Sequence, residues 1–448
     1  MLRPTLLAAL TLTAATPARA QAPLTLGEAF RRADSAAFAN RIAIAGARAQ
    51  GAQATSALQG ILPTVRAEGG YVRTDNPLAA FGYTLQQRGV SLASFDPANL
   101  NYPAAVTNWN GGLVAEVPLI NVDAWIGRSA AASATAAADA ASGWTRETTR
   151  ADVARAYFGA ILTRESVHTL EAATAAGKAH LRQAQSMVTN GLATRSDALL
   201  ASVQEGQLEA QLVGARGNAA IARQQLALLL GSPDDSTFTL PDSLPSVVQI
   251  RSLLAASPSD SAADRFDVAA ARFGVEASES DVRRAKARYL PRLNGFGRFD
   301  WNSPDQLFGG QSSYTVGLMA SWTPFAGASE IGDRHAAQGR ADAARARVEA
   351  AVAGAMLERR ATRTRLAVAT AQLDIAELSV AQGAEAHRIV AKKYAGGLAT
   401  VAELLSAAAL DTQTRLGLSE ARFQVIVADA ATRQAAGTDL MALTVLEN

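Results

Sequence analysis

The residues with the most chemical potential are four histidines, His168, His180, His335 and His387, in a chain that has no cysteine. An imidazole can ligate a metal or relay a proton, and a metal site needs further donors close by. No two of the four stand three or four residues apart, so no helical turn presents a pair, and no thiolate completes a set. That spacing predicts no metal site. Gly177-Lys178 has the end of a phosphate loop without its beginning, because position 172 is Ala172. Gly295-Phe296-Gly297 lies in a stretch that reads as a strand and opens no helix. No serine occupies a Gly-x-Ser-x-Gly elbow. The sequence therefore predicts neither an enzyme nor a bound cofactor.

The information lies in the elements instead. Arg3, the apolar run Leu6 to Leu12 and the small-x-small triplet Ala18-Arg19-Ala20 read as an export signal over 1–20, cleaved before Gln21. No later stretch reaches the roughly 18 to 20 uninterrupted apolar residues of a membrane-spanning helix, so entry into a membrane requires a β-barrel. Without cysteine there is no disulfide and no acyl anchor. Of 42 basic and 40 acidic residues, Arg3 and Arg19 leave with the signal, and the balanced remainder gives no reason to expect nucleic acid. Abundant alanine and only 6% aromatics suit closely packed helices better than one thick core.

A tandem repeat organises the chain. Gly191-Leu192-Ala193-Thr194 returns as Gly397-Leu398-Ala399-Thr400, an offset of 206 (397 − 191). The same offset links Pro118 to Pro324, Gly177 to Gly383, Arg216 to Arg422 and Gly231 to Gly437. Pro63 and Pro291, each ending a similar Leu-Pro motif, differ by 228 (291 − 63), which places 22 extra residues (228 − 206) in a first-copy loop between Thr74 and Asn108. The expected organisation is a first repeat over 21–231, a proline-rich linker over 232–261, a second repeat over 262–437 and a tail over 438–448. Each repeat reads as helix, strand, strand, long helix, helix. In the first, the opening helix is expected from about Leu26 to Leu62, and later helices from about Val122 to Gly191 and Ser196 to Leu230.

No proline falls between Pro118 and Pro233, and none follows Pro324. From Val153 through Ala160, Val167, Thr174, Leu181 and Val188, small or apolar residues recur every seven, with Ala156, Thr163, Leu170, Gly177, Ala184 and Gly191 between them. A sustained seven-residue period favours left-handed coiled packing. Roughly 70 helical residues reach about 105 Å, and the opening and return helices stacked end to end would match that length. On the helices alone, an extended coiled-coil rod stays open beside a tube.

Strands are expected near 64–73, 108–117, 292–301 and 313–322. Val65, Ala67, Gly69 and Tyr71 share one parity while Arg66 and Glu68 take the other. The same split sets Trp109, Leu113 and Val117 against Asn110 and Glu116, Leu293, Phe299 and Trp301 against Arg292, Arg298 and Asp300, and Tyr314, Val316, Leu318 and Trp322 against Thr315 and Ser321. Segments of about ten residues with one apolar parity suit a barrel with lipid outside and water inside. Soluble hairpins packed on the helices would show the same parity. Four strands cannot enclose a lumen, so a barrel requires copies of the chain to share it.

The repeated helix-strand-strand-helix-helix unit, the Ile61-Leu62-Pro63 and Tyr289-Leu290-Pro291 strand entries and the Gly-Leu-Ala-Thr turns resemble the TolC-like outer membrane efflux protein (outer membrane factor) family. Asp264-Arg265-Phe266-Asp267-Val268, running on to Arg288, is similar to that family's second-repeat opening. The resemblance covers nearly the whole mature chain. It implies a fold that is mainly α with a transmembrane β-barrel part, namely a homotrimer whose shared 12-stranded barrel continues into a periplasmic helical tunnel. It implies outer-membrane lipid, a periplasmic adaptor (membrane fusion) protein and an inner-membrane transporter as partners, with no catalysis and no cofactor. By position it assigns adaptor-docking tips to Gly191, Leu192, Gly397 and Leu398, and a periplasmic gate to Ser196, Asp197, Tyr394 and Glu403. Three copies of Glu403 facing one another would raise its carboxyl pKa. Ala399 and Ser406 depart from the family's gate arginine and second ring acid, which leaves Lys392, Lys393 and Arg195 as candidate replacements. A periplasmic coiled-coil scaffold or adaptor without a pore is the alternative.

Overall fold

A computed structural model describes residues 23–234, 237–255 and 265–447. The expected export signal, part of the linker and Asp264 lie outside the described residues. In chain order the elements are α1 (Leu26–Ala36), α2 (Phe38–Ser56), β1 (Thr64–Thr74), α3 (Pro77–Gln86), α4 (Pro97–Asn101), β2 (Val106–Ile120), α5 (Val122–Thr189), α6 (Arg195–Leu229), α7 (Val247–Ala255), α8 (Phe266–Ala287), β3 (Arg292–Ser303), β4 (Gln311–Ser321), α9 (Ser329–Ala395) and α10 (Val401–Ala436). Short 3-10 turns occupy Ala57–Gly60, Leu92–Phe95 and Leu440–Glu447.

Two compact units share these elements, and each draws on both repeats. One contains the described residues through Phe38, those from Glu147 to Ala255, and those from Ala361 onward; the other contains Ala39–Arg146 and the described residues from Arg265 to Arg360. The continuous helices α5 and α9, 68 and 67 residues long, pass from one unit into the other. No proline interrupts either helix, so its backbone ladder runs unbroken.

In the first unit, α1, α5, α6, α7, α9, α10 and the last 3-10 turn enclose a core that includes Phe30, Tyr157, Phe158, Ile161, Leu226, Ile250, Ile426 and Leu443. The end of the chain is part of this core. Glu447 Oε1 accepts from the Tyr157 hydroxyl at 2.6 Å and from the Leu26 backbone N–H at 2.5 Å. Along α5 the seven-residue stripe is buried at Val153, Ala160, Leu170, Thr174 and Ala184.

The opening helix differs from the expected single run over 26–62. It breaks at Ala37, which is extended at φ −56 and ψ 133, and it ends in a 3-10 turn. Nothing local in the sequence marks Ala37. Gly231, at φ +77, lies so close to the Ala36 carbonyl that any β-carbon there would collide with it. The break thus coincides with a tertiary approach. The loop of 74–108 is also more ordered than its composition suggests, because Asn76-Pro77 and Asp96-Pro97 start α3 and α4 with an N-cap side chain and a proline at the first turn. Likewise α7 lies inside the proline-rich linker.

In the second unit the four strands form one antiparallel sheet in the order β1-β2-β3-β4. Its register joins the strand parities. Val65 faces Ala115, Ala115 faces Gly297, and Gly297 faces Val316, while Ala67, Leu113, Phe299 and Tyr314 make the next row. The opposite face carries the rows Arg66-Val114-Arg298-Thr315 and Glu68-Gly112-Asp300-Ser313. There Arg66 pairs with Glu116 at 2.9 Å, and Arg298 reaches Asp300 at 2.8 Å and Glu68 at 3.7 Å. β2 slips register between Pro118 and Ile120, where proline has no N–H to give.

Gly231→Ala should lower the melting temperature by several degrees, because it adds a left-handed penalty of about 1–3 kcal/mol to the clash with Ala36. Melting of the purified protein followed by circular dichroism checks this, and an unchanged midpoint would contradict it.

Candidate functional site: two equivalent helix turns and a two-faced sheet

The turn after α5 and the turn after α9 are built alike. At the first, Gly191 is left-handed at φ +72, its N–H donates to Val188 O at 3.0 Å, and Leu192 N donates to Met187 O at 2.8 Å. At the second, Gly397 has φ +73, donates to Tyr394 O at 3.0 Å, and Leu398 N donates to Lys393 O at 2.8 Å. This closure satisfies the last carbonyls of a helix and calls for a residue without a β-carbon at the left-handed position.

The following helices start alike too. Thr194 accepts from Asp197 N at 3.3 Å, and the Asp197 carboxylate accepts from Thr194 N at 2.9 Å. Thr400 accepts from Glu403 N at 3.2 Å, and the Glu403 carboxylate accepts from Thr400 N at 2.7 Å. Both are capping boxes. They make chain reversals of five residues between long antiparallel helices possible, and the 206-residue offset holds down to individual hydrogen bonds.

The sequence-derived site residues occupy different environments at these turns. Leu192 and Leu398 are 74% and 81% exposed. Ser196 lies beside the first cap, its hydroxyl 2.7 Å from Thr194 Oγ1. Asp197 and Glu403 are tied into the capping boxes. Tyr394 is only 4% exposed and packs with Ala184, Ala201, Val401, Leu404 and Leu405. Its shielded hydroxyl has no hydrogen-bond partner among the described residues. Burial and then the charge of Asp197 push its pKa upward.

For Glu403 the direction within one chain is opposite to that expected of a crowded ring. The Thr400 backbone N–H, followed by the Thr400 hydroxyl, holds its carboxyl below the ordinary range despite slight desolvation, and Lys393 adds to the effect. Asp197 is lowered by Thr194 in the same way. Lys393, one of the candidate gate cations, therefore lies where its charge reaches Glu403. Cap hydrogen bonds to the charged form dominate both carboxyls.

One constellation escaped the sequence. His180 on α5 and His387 on α9 stand with ring centroids 5.8 Å apart, beside a cavity of about 600 Å³. The repeat offset was the available signal, because it carries position 180 onto 386, next to His387. Among the described residues no group of three or more His, Asp or Glu is placed to hold a metal ion. No described helix is long and apolar enough to cross a membrane.

The sheet's apolar face is exposed in the single chain: Val65, Tyr314, Val316, Leu318 and the neighbouring Trp322 are 63–75% exposed. Among the described residues β1 and β4 are its edges.

Residues 39–232 and 257–438 match the family described as outer membrane efflux protein. No curated protein sequence matches the chain. Among solved structures, the outer membrane protein VceC from Vibrio cholerae is 22% identical with a TM-score of 0.74, covering 92% of this chain and 96% of that one. A membrane protein from Pseudomonas aeruginosa is 19% identical with a TM-score of 0.76, covering 96% and 99%. The CmeC outer membrane channel of Campylobacter jejuni is 15% identical with a TM-score of 0.74, covering 92% and 85%. The fold is that of outer membrane channel proteins.

A carboxyl whose pKa is depressed by folding contributes its stability above its unfolded value and loses it as the pH falls through the folded one. Glu403→Gln should therefore melt below the parent at neutral pH, and the gap should close as the pH drops well under the ordinary 4.5. Thr400→Ala, which removes the cap itself, should cost about 1 kcal/mol. Thermal melts across that pH range test both, and a Glu403→Gln gap that persists in strong acid would refute the capping role.

Proposed function

The chain belongs to the outer membrane efflux protein family, and from that premise we propose that it is the passive exit duct of a tripartite efflux or type I secretion system. The observation that carries this is the sheet, with one apolar and exposed face, one charged face and two edges. Lipid against the apolar face and water against the charged face satisfy both, and only further strands satisfy the edges. Three chains would supply twelve strands, with β1 of one copy beside β4 of the next. The expected strand spans and repeat bounds, 21–231 and 262–437, describe how each chain contributes two hairpins to that wall.

The turns give the periplasmic end of the proposal. Gly191, Leu192, Gly397 and Leu398 form the surface on which adaptor hairpins dock. Two leucines held outward beside rigid left-handed glycines support this assignment, since each offers apolar area at little entropic cost. Ser196, Asp197, Tyr394 and Glu403 form the gate side. The carboxylates held ionised by their caps attract cations to the aperture, and adaptor docking opens it. Energy comes from the inner-membrane transporter. The coiled-coil scaffold reading does not account for the exposed apolar sheet face.

Glu403→Ala should reduce the cation preference of the purified channel in planar bilayers, and unchanged ion preference would remove Glu403 from the aperture. Leu192→Asp and Leu398→Asp together should abolish export in cells while leaving the trimer intact in detergent. Normal export by the double variant would count against docking at the turns. A protein that stays monomeric and soluble without detergent would overturn the duct in favour of the scaffold.

A further inference from the structure

We propose that His180 and His387 form a binding site for an imidazole-seeking transition ion, Zn²⁺, Cu²⁺ or Ni²⁺, which ties α5 to α9. The rings belong to the same compact unit and meet at a centroid distance of 5.8 Å with planes at 72°. Nε2 of each ring is shielded from solvent and has no hydrogen-bond partner among the described residues. A shielded polar atom without a partner calls for an explanation, and a bound ion is one.

On its other side, His387 is backed by a carboxylate. Nδ1 lies 3.2 Å from Asp411 Oδ2, and Asp411 also accepts from Arg415 Nε at 2.8 Å. A carboxylate only accepts, so in the neutral ring the tautomer that donates from Nδ1 to Asp411 is the one that presents a lone pair at Nε2. A carboxylate behind an imidazole is the arrangement that orients metal-ligating histidines and raises their basicity.

An N–H or O–H donor would satisfy one lone pair, whereas one metal ion engages both. Imidazole nitrogen suits zinc, copper and nickel, while magnesium and calcium prefer oxygen. The cavity of about 600 Å³ lined by both histidines, Asp411, Gln204 and Leu208 supplies an entry path and room for the waters that complete the shell. The site precedes Gly191 and Gly397 by about ten residues, or about 15 Å of helix. A bound ion there would fix how α5 and α9 pair just before their turns. This inference does not depend on the export reading.

The test uses the untagged full-length protein in detergent, dialysed against Zn²⁺ and separately against Cu²⁺, with Mg²⁺ as control. One equivalent of Zn²⁺ or Cu²⁺ per chain is expected, no Mg²⁺, and two imidazole ligands by X-ray absorption. His180→Gln and His387→Gln should each weaken binding at least tenfold, and Asp411→Asn should weaken it about 10–100-fold. Metal-free melting profiles identify variants that fold as the parent does, and Ala replaces Gln at either position if they do not. Failure of the parent to take up stoichiometric metal, or undiminished uptake by the folded histidine variants, would overturn the site.

Discussion

A four-stranded sheet ends in two rows of backbone N–H and C=O groups, and where those rows find partners decides what kind of protein it belongs to. In water they can be hydrated. In hydrocarbon each unpaired group costs several kcal/mol, and only closure removes the edges. The sheet here sets Val65, Ala67, Leu113, Phe299, Tyr314 and Val316 on one face and Arg66, Glu68, Arg298 and Asp300 on the other. Its edges are two different strands, so pairing β1 of one copy with β4 of the next is a head-to-tail contact that can close into a ring. Under the proposed assembly this closure turns the charged face inward, where Arg66, Glu116, Arg298 and Glu68 are already paired within one chain.

The helical part meets a related demand by other means. Helices of 68 and 67 residues must each stop and reverse within five residues. A left-handed glycine closes one helix, and a threonine box with an acid three residues on opens the next. Because the boxes use Asp197 and Glu403, each turn carries a carboxylate that its own backbone keeps charged. The same atoms thus stop a helix from fraying and give the proposed aperture its sign. Tyr394, by contrast, serves the packing between the turns in the single chain.

Several of these features are legible in the sequence, and the reasons others are not differ. Period-two alternation is a local consequence of strand geometry, so the segments around Tyr71, Trp109, Trp301 and Tyr314 announce themselves. Proline spacing and the Gly-Leu-Ala-Thr motif act locally as well, which is why α5, α9 and their turns follow from composition. The break at Ala37 does not, because it coincides with the close approach of Gly231, almost two hundred residues away. The burial of Tyr394 and the meeting of His180 with His387 are likewise long-range facts, visible beforehand only through the repeat offset. For Glu403 the capping role could have been read from Thr400 three residues earlier, and within one chain that cap lowers its carboxyl pKa.

Because the chain has no cysteine, edge pairing can be probed directly with introduced ones. Pairs combining Val65, Ala67 or Gly69 on β1 with Val316, Leu318 or Ala320 on β4 would be oxidised in intact outer membranes and resolved by denaturing electrophoresis. Disulfide-linked species that build up to three chains, confined to one consistent register, are expected. If every combination leaves single chains while the protein is membrane-embedded, the strands do not meet between copies and the shared wall does not exist.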